Sequence, residues 1–98
     1  MTESLYRIQW RTRARDDLKK VIEYIGKESP VRAASFGKEL HRKTQILAEF
    51  LEMGRSGRPG LSGYRELILH PNYVVFYRVL VDVKVVQIVR LKHVARRF

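Results

Sequence analysis

The apolar residues of this 98-residue chain change period around the glycine-rich stretch Gly54–Gly63, and that change restricts the folds open to it. Before the stretch, Ala14, Leu18, Val21, Ile22 and Ile25 recur at helical spacing, and so do Ala33, Phe36, Leu40, Thr44, Leu47 and Leu51. After it, apolar residues come in three short, dense runs of β type, Tyr64–Leu69, Tyr73–Val79 and Val83–Leu91. A striped helix and a strand with an apolar face each need a partner layer, so the two halves are expected to pack on one another.

Local signals divide the halves further. Tyr6, Ile8 and Trp10 alternate with Arg7, Gln9 and Arg11, the pattern of a half-buried strand over Tyr6–Arg11. Thr12 is placed to cap the first helix and Gly26 to stop it. Ser29-Pro30 opens the second: a serine oxygen accepts from orphan N–H groups, and proline at the first helical position gives up no hydrogen bond. Ile46, Phe50 and Met53 widen the inward stripe of that helix, with Gly54 as terminator. GRSGRPGLSG then reads as a loop of ordinary length, His70-Pro71-Asn72 as a turn, and Val81-Asp82 as a weaker one. The expected fold is α+β, in the order β-α-α-β-β-β, a helical hairpin packed on a largely antiparallel four-stranded sheet, with residues 1–98 as a single domain.

Charge narrows the partners. The chain carries a formal +10, and half of it lies in Lys84–Phe98, where Lys84, Arg90, Lys92, Arg96 and Arg97 face no carboxylate in sequence. Such density points to an anionic partner: nucleic acid, a membrane surface or an acidic protein segment. The lack of cysteine removes disulfides and thiolate metal sites and suits a reducing compartment. Met1–Trp10 holds no apolar signal core, and the run Tyr73–Tyr77 is too short to span a bilayer, so a soluble, cytoplasmic chain without membrane attachment is expected. His41, His70 and His93 lie far apart with no HxxxH or HExxH spacing, and no P-loop, dinucleotide fingerprint or Gly-x-Ser-x-Gly occurs, so no metal or cofactor is implied.

The remaining candidates for chemistry are arginines and one histidine. Arg65 and Arg78 fall in adjacent predicted strands, Arg58 in the loop feeding the first, and His93 just past the last. Guanidinium groups grip phosphate with a forked geometry, and imidazole moves protons near neutral pH. RNA cleavage by a neighbouring 2′-OH needs a base, an acid and stabilisation of a charge-rich phosphorane, part of which Arg65, Arg78 and His93 would supply. The same residues also fit quieter roles: Arg65 paired with a carboxylate, Arg78 flanking a core strand, His93 at the sheet's edge. Tyr6, Tyr64, Tyr73 and Tyr77 have the alternatives of base stacking and packing. Arg96-Arg97-Phe98 is either a solvated terminus or a contact site.

Taken in order, these pieces resemble the RelE/ParE superfamily, the toxin half of type II toxin–antitoxin modules. The resemblance runs through Ala14-Arg15-Asp16-Asp17-Leu18, Ile22-Glu23-Tyr24-Ile25, Pro30, Ala33-Ala34, Phe36 and Gly57-Arg58. It is clearest in Gly63-Tyr64-Arg65-Glu66-Leu67, Tyr73–Val79, Val86–Val89 and His93. It implies one of two activities: ParE-type members poison DNA gyrase, and RelE-type members cut mRNA on the ribosome. The helix signature, and the Gly-Arg loop ahead of a Gly-x-Arg-Glu-Leu strand, are more similar to the ParE side. Ribosome-dependent members often carry lysines around that loop, whereas this chain has none between Lys43 and Lys84. The ParE reading implies a gyrase inhibitor without chemistry of its own, binding its target through Arg58, Lys92, Arg96, Arg97 and Phe98. The RelE reading implies an endoribonuclease using Arg65, Arg78 and His93, with the ribosome and mRNA as partners; these three and the terminal Phe98 match positions where some nuclease members carry function. Either implies a toxin–antitoxin hetero-oligomer with a cognate antitoxin whose acidic, amphipathic C-terminal segment folds along the toxin.

Overall fold

The computed structural model describes residues 5–56, 63–70 and 72–94. Strand β1 (Arg7–Trp10) leads into helix α1 (Thr12–Glu28) and helix α2 (Pro30–Ile46). The short strand β2 (Arg55–Ser56), then β3 (Arg65–His70), β4 (Tyr73–Leu80) and β5 (Val85–His93), complete the chain, with a 3₁₀ turn at Val81–Val83. The sheet has five strands in the order β1-β5-β4-β3-β2. The expected α+β architecture and helical hairpin are present. The strand count rises from four to five because Arg55–Ser56, expected as loop, pairs with Arg65 and Glu66. All pairings are antiparallel except β1 with β5, which is parallel.

The helix boundaries differ from expectation for identifiable reasons. Arg11, not Thr12, occupies the N-cap of α1, and no side chain caps that end. Gly26 does not stop α1. The break comes at Ser29, whose extended backbone (φ −156°, ψ 104°) is what a residue before proline prefers. Gly26 instead lies at the helix crossing, where an added Cβ would meet the Ala33 Cβ at 3.7 Å. The Ser29-Pro30 start of α2 forms as expected, with Ser29 Oγ accepting from the Arg32 N–H at 3.2 Å. At its other end α2 stops at Ile46 instead of reaching Met53. Turns over residues 47–49 and 51–52 then bury Leu47 while leaving Phe50 and Met53 55% and 45% exposed, so those two do not extend the inward stripe.

The core lies between the helical hairpin and one face of the sheet. Ala14, Phe36, Leu40 and Leu47 meet Val75, Tyr77, Val86, Ile88 and Leu91 there. The antiparallel register puts β3 and β4 residues of like parity on a common face, with Arg65 opposite Tyr77 and Leu67 opposite Val75. A β-bulge at Val89 shifts the β4–β5 register, so that Tyr77 faces Ile88 whereas Phe76 faces Arg90. At the β4–β5 turn, Lys84 adopts a left-handed backbone (φ 55°), which lets β5 begin at Val85.

Candidate functional site

The alternation of β4 sends its side chains to two different environments. Tyr77, fully buried, points to the helix side, and its hydroxyl accepts from the Gly54 N–H at 2.8 Å and donates to the Leu51 carbonyl at 2.9 Å. Burial pushes the Tyr77 phenol pKa up, against the opposing pull of the Gly54 N–H and the nearby Arg65 charge. Arg65, directly opposite on β3, donates through Nη1 to the Gly54 carbonyl at 2.6 Å. Both backbone polar groups of Gly54 are thereby held by side chains from the sheet. The approach is so close that a Cβ at Gly54 would lie 2.7 Å from the Glu66 carbonyl and 2.8 Å from the Tyr77 ring. Arg65 thus anchors the entrance to the glycine-rich loop, and it has no carboxylate partner among the described residues.

Arg78, one residue on, emerges from the opposite face. Its Nε donates to Gln87 Oε1 at 2.8 Å, and Gln87 Nε2 donates to Gln9 Oε1 at 2.7 Å. A polar ladder therefore runs across β4, β5 and β1, with the Arg78 guanidinium 5.7 Å from the centroid of the Tyr64 ring. Two of the arginines singled out from sequence are separated by the sheet itself.

His93 is the last residue of β5, not just beyond it, and its register partner is Tyr73. The two rings meet edge-to-face at 5.1 Å, and Tyr73 in turn packs edge-to-face on Phe36 at 5.2 Å. The Tyr73 position lies four steps along β4 from Tyr77, the partner of Arg65, roughly 13 Å along the strand. Arg65, Arg78 and His93 are therefore not assembled around a common point.

Lys92 shares the outer face with Val74, and it lines a cleft of about 460 Å³ with Arg11, Arg13, Tyr64, Phe76 and Arg90. Arg90 is the pinned member. Its Nε and Nη2 donate to both carboxylate oxygens of Asp17 on α1, at 2.8 and 3.1 Å, and the Leu91 N–H donates to Asp17 as well at 2.9 Å. Burial alone would raise the Asp17 pKa, but the Arg90 and Leu91 hydrogen bonds, with the charges of Arg90 and Lys92, hold it below the usual carboxylate value. This pair closes the edge of β5 where β1 has ended. Arg58, Arg96, Arg97 and Phe98 lie outside the described residues.

Sequence reasoning missed the Tyr77–Gly54–Arg65 anchor, the Gln87–Gln9 ladder and the place of Arg11 and Arg13 at the cleft. Tyr64 was noted, and it alone of the four tyrosines lines that cleft. Tyr73 and Tyr77 are core residues, and Tyr6 packs against the core. The glycine run hinted at the anchor, but nothing short of strand register could align Arg65 with Tyr77.

Comparison with known proteins identifies the family and the fold. Residues 8–98 match the family model described as ParE toxin of the type II toxin–antitoxin system, parDE. Toxin RelE2 of Caulobacter vibrioides is 38% identical over 89 residues, 91% of this chain and 96% of that protein. Putative toxin Y4kP of Sinorhizobium fredii is 34% identical over 84% of each chain. Among solved structures, the RelBE2 toxin–antitoxin complex of Mycobacterium tuberculosis contains a chain 26% identical, with a TM-score of 0.65, over 91% of this chain and 98% of that one. A chain of the chromosomal ParDE system of P. aeruginosa shares the fold at a TM-score of 0.74 and 23% identity, over 93% and 98%.

Proposed function

This chain belongs to the ParE family of type II toxin–antitoxin toxins, within the RelE/ParE superfamily, and from that premise we propose that it arrests growth by binding DNA gyrase. The observation that supports binding over cutting is the arrangement of the three cleavage candidates. Arg65 faces the helix side and holds the Gly54 carbonyl, Arg78 faces the other side, and His93 sits four positions along the sheet from Arg65. General acid–base cleavage of RNA needs such groups within hydrogen-bonding reach of one phosphodiester. Poisoning by docking needs only an exposed, complementary surface. Purified protein is expected to block gyrase supercoiling or to trap cleaved DNA near stoichiometric amounts; undiminished gyrase activity at large molar excess overturns the reading.

Ribosome-dependent mRNA cleavage is retained as the second reading because a relative 38% identical carries the name RelE2. It predicts codon-linked cuts in a translating extract, lost on His93→Ala. Under either reading we take a cognate antitoxin as the neutralising partner and the cytoplasm as the place of action. Among the described residues no helix is long and apolar enough to cross a membrane.

A further inference from the structure

The cleft on the outer face joins several cations to an aromatic wall in one concavity. It lies where β1 hands over to α1, with Arg11 and Arg13 at the helix start and Lys92 reaching in from β5. None of these three cations has a carboxylate partner among the described residues. Asp17 feels the charge of Lys92, and it is already chelated by Arg90. Counting that pair as neutral, three positive charges converge on one concavity. The first turn of α1 adds its own partial positive charge, since it holds no acidic residue and no side chain caps it. Phe76 and Tyr64 form an aromatic wall, and Arg78 lies against the Tyr64 ring.

We propose that this cleft binds one nucleotide of a single DNA strand, its phosphate between Arg11, Arg13 and Lys92 and its base against Tyr64. The volume of about 460 Å³ falls within the usual range for small-ligand pockets, roughly 300–1,000 Å³, and is far too small for a duplex. Cations set beside an aromatic face are the recurrent means of holding single strands without reading sequence. The inference rests on the gyrase reading only in choosing DNA over RNA: a toxin docked on gyrase would then touch the enzyme's DNA as well as its protein.

The test uses the full chain and fluorescence anisotropy with a labelled 12-nucleotide DNA strand, its duplex, and an RNA strand of the same sequence. The variant pair Arg13→Gln/Lys92→Gln is expected to weaken single-strand DNA binding by about tenfold or more and to lower the log K against log salt slope by about 1.4. The equally neutralising pair Arg32→Gln/Lys38→Gln, on exposed positions of α2, is expected to stay within about twofold of the parent, because diffuse charge contributes little once screened. Tyr64→Leu is expected to reduce the preference for single strand over duplex. Equal losses from both pairs would assign the binding to net charge and overturn the cleft, as would no measurable binding at low salt. Tighter binding of RNA than DNA would overturn the choice of strand. Supercoiling assays separate the two proposals: cleft-dependent DNA binding with gyrase untouched by the parent chain sinks the gyrase reading alone. Gyrase inhibition that survives Arg13→Gln/Lys92→Gln sinks the role of the cleft alone.

Discussion

Arginine does different work on the two faces of this sheet. Arg65, on the helix side, places a guanidinium on a backbone carbonyl and ties β3 to the start of the glycine-rich stretch. Arg78, on the outer side, joins a ladder of amides through Nε and lies beside an aromatic ring, with no hydrogen bond from its terminal nitrogens to another described residue. One arginine is consumed by architecture and the other is presented. Adjacent arginines in a strand hairpin look equivalent in sequence, yet a shift of one residue in register moves a side chain from one environment to the other.

The contrast can be broken hardest at Gly54. Gly54→Ala would drive a Cβ against backbone and ring atoms at under 3 Å, and a loss of about 3 kcal/mol or more in urea unfolding is expected. Tyr77→Phe removes the hydroxyl that satisfies the buried Gly54 N–H and the partly buried Leu51 carbonyl. A loss of about 2 kcal/mol follows, with little change in overall secondary structure by circular dichroism.

Asp17→Asn probes the outer cleft's own anchor and should cost about 2 kcal/mol at neutral pH. Its pH dependence has a definite sign. Because the folded pKa of Asp17 is lowered, the carboxylate's contribution is complete above the unfolded value of about 3.9 and is lost as pH falls through the folded value. The stability gap between parent and Asp17→Asn should therefore narrow in acid, and a gap constant from pH 7 to pH 2 would contradict the assignment. The finest discrimination compares Arg65→Met with Arg78→Met. The first is expected to lose about 1.5 kcal/mol by stranding a Gly54 carbonyl, and the second about 0.5 kcal/mol from a half-exposed ladder. Equal losses would erase the distinction between the faces.

Much of the scaffold could be read from residue pattern, because it depends on short-range chemistry. Ser29-Pro30 dictates a helix start wherever the chain goes, and dense β-branched runs such as Tyr73–Val79 pair somewhere. The misreadings share a cause. Phe50 and Met53 continue a helical period, but the chain leaves the helix at Ile46 so that the Leu51 carbonyl can meet a tyrosine 26 residues away. Gly26 resembles a terminator and instead lies within α1, beside Ala33 of α2. The parallel β1–β5 pairing joins side chains 78 residues apart, and the outer cleft depends on it, since Arg11 and Arg13 reach Lys92 only when β1 lies along β5. Local periodicity carries no record of such pairings.

That pairing also orders the events of synthesis. β5 sits between β1 and β4, so β1 cannot be zipped into place until β5 has left the ribosome. A nascent chain halted before Val85 holds two helices over a sheet lacking its keystone, with β4 open along one side. Such a molecule should be captured by chaperones or degraded, so that no folded toxin surface exists until β5 has emerged.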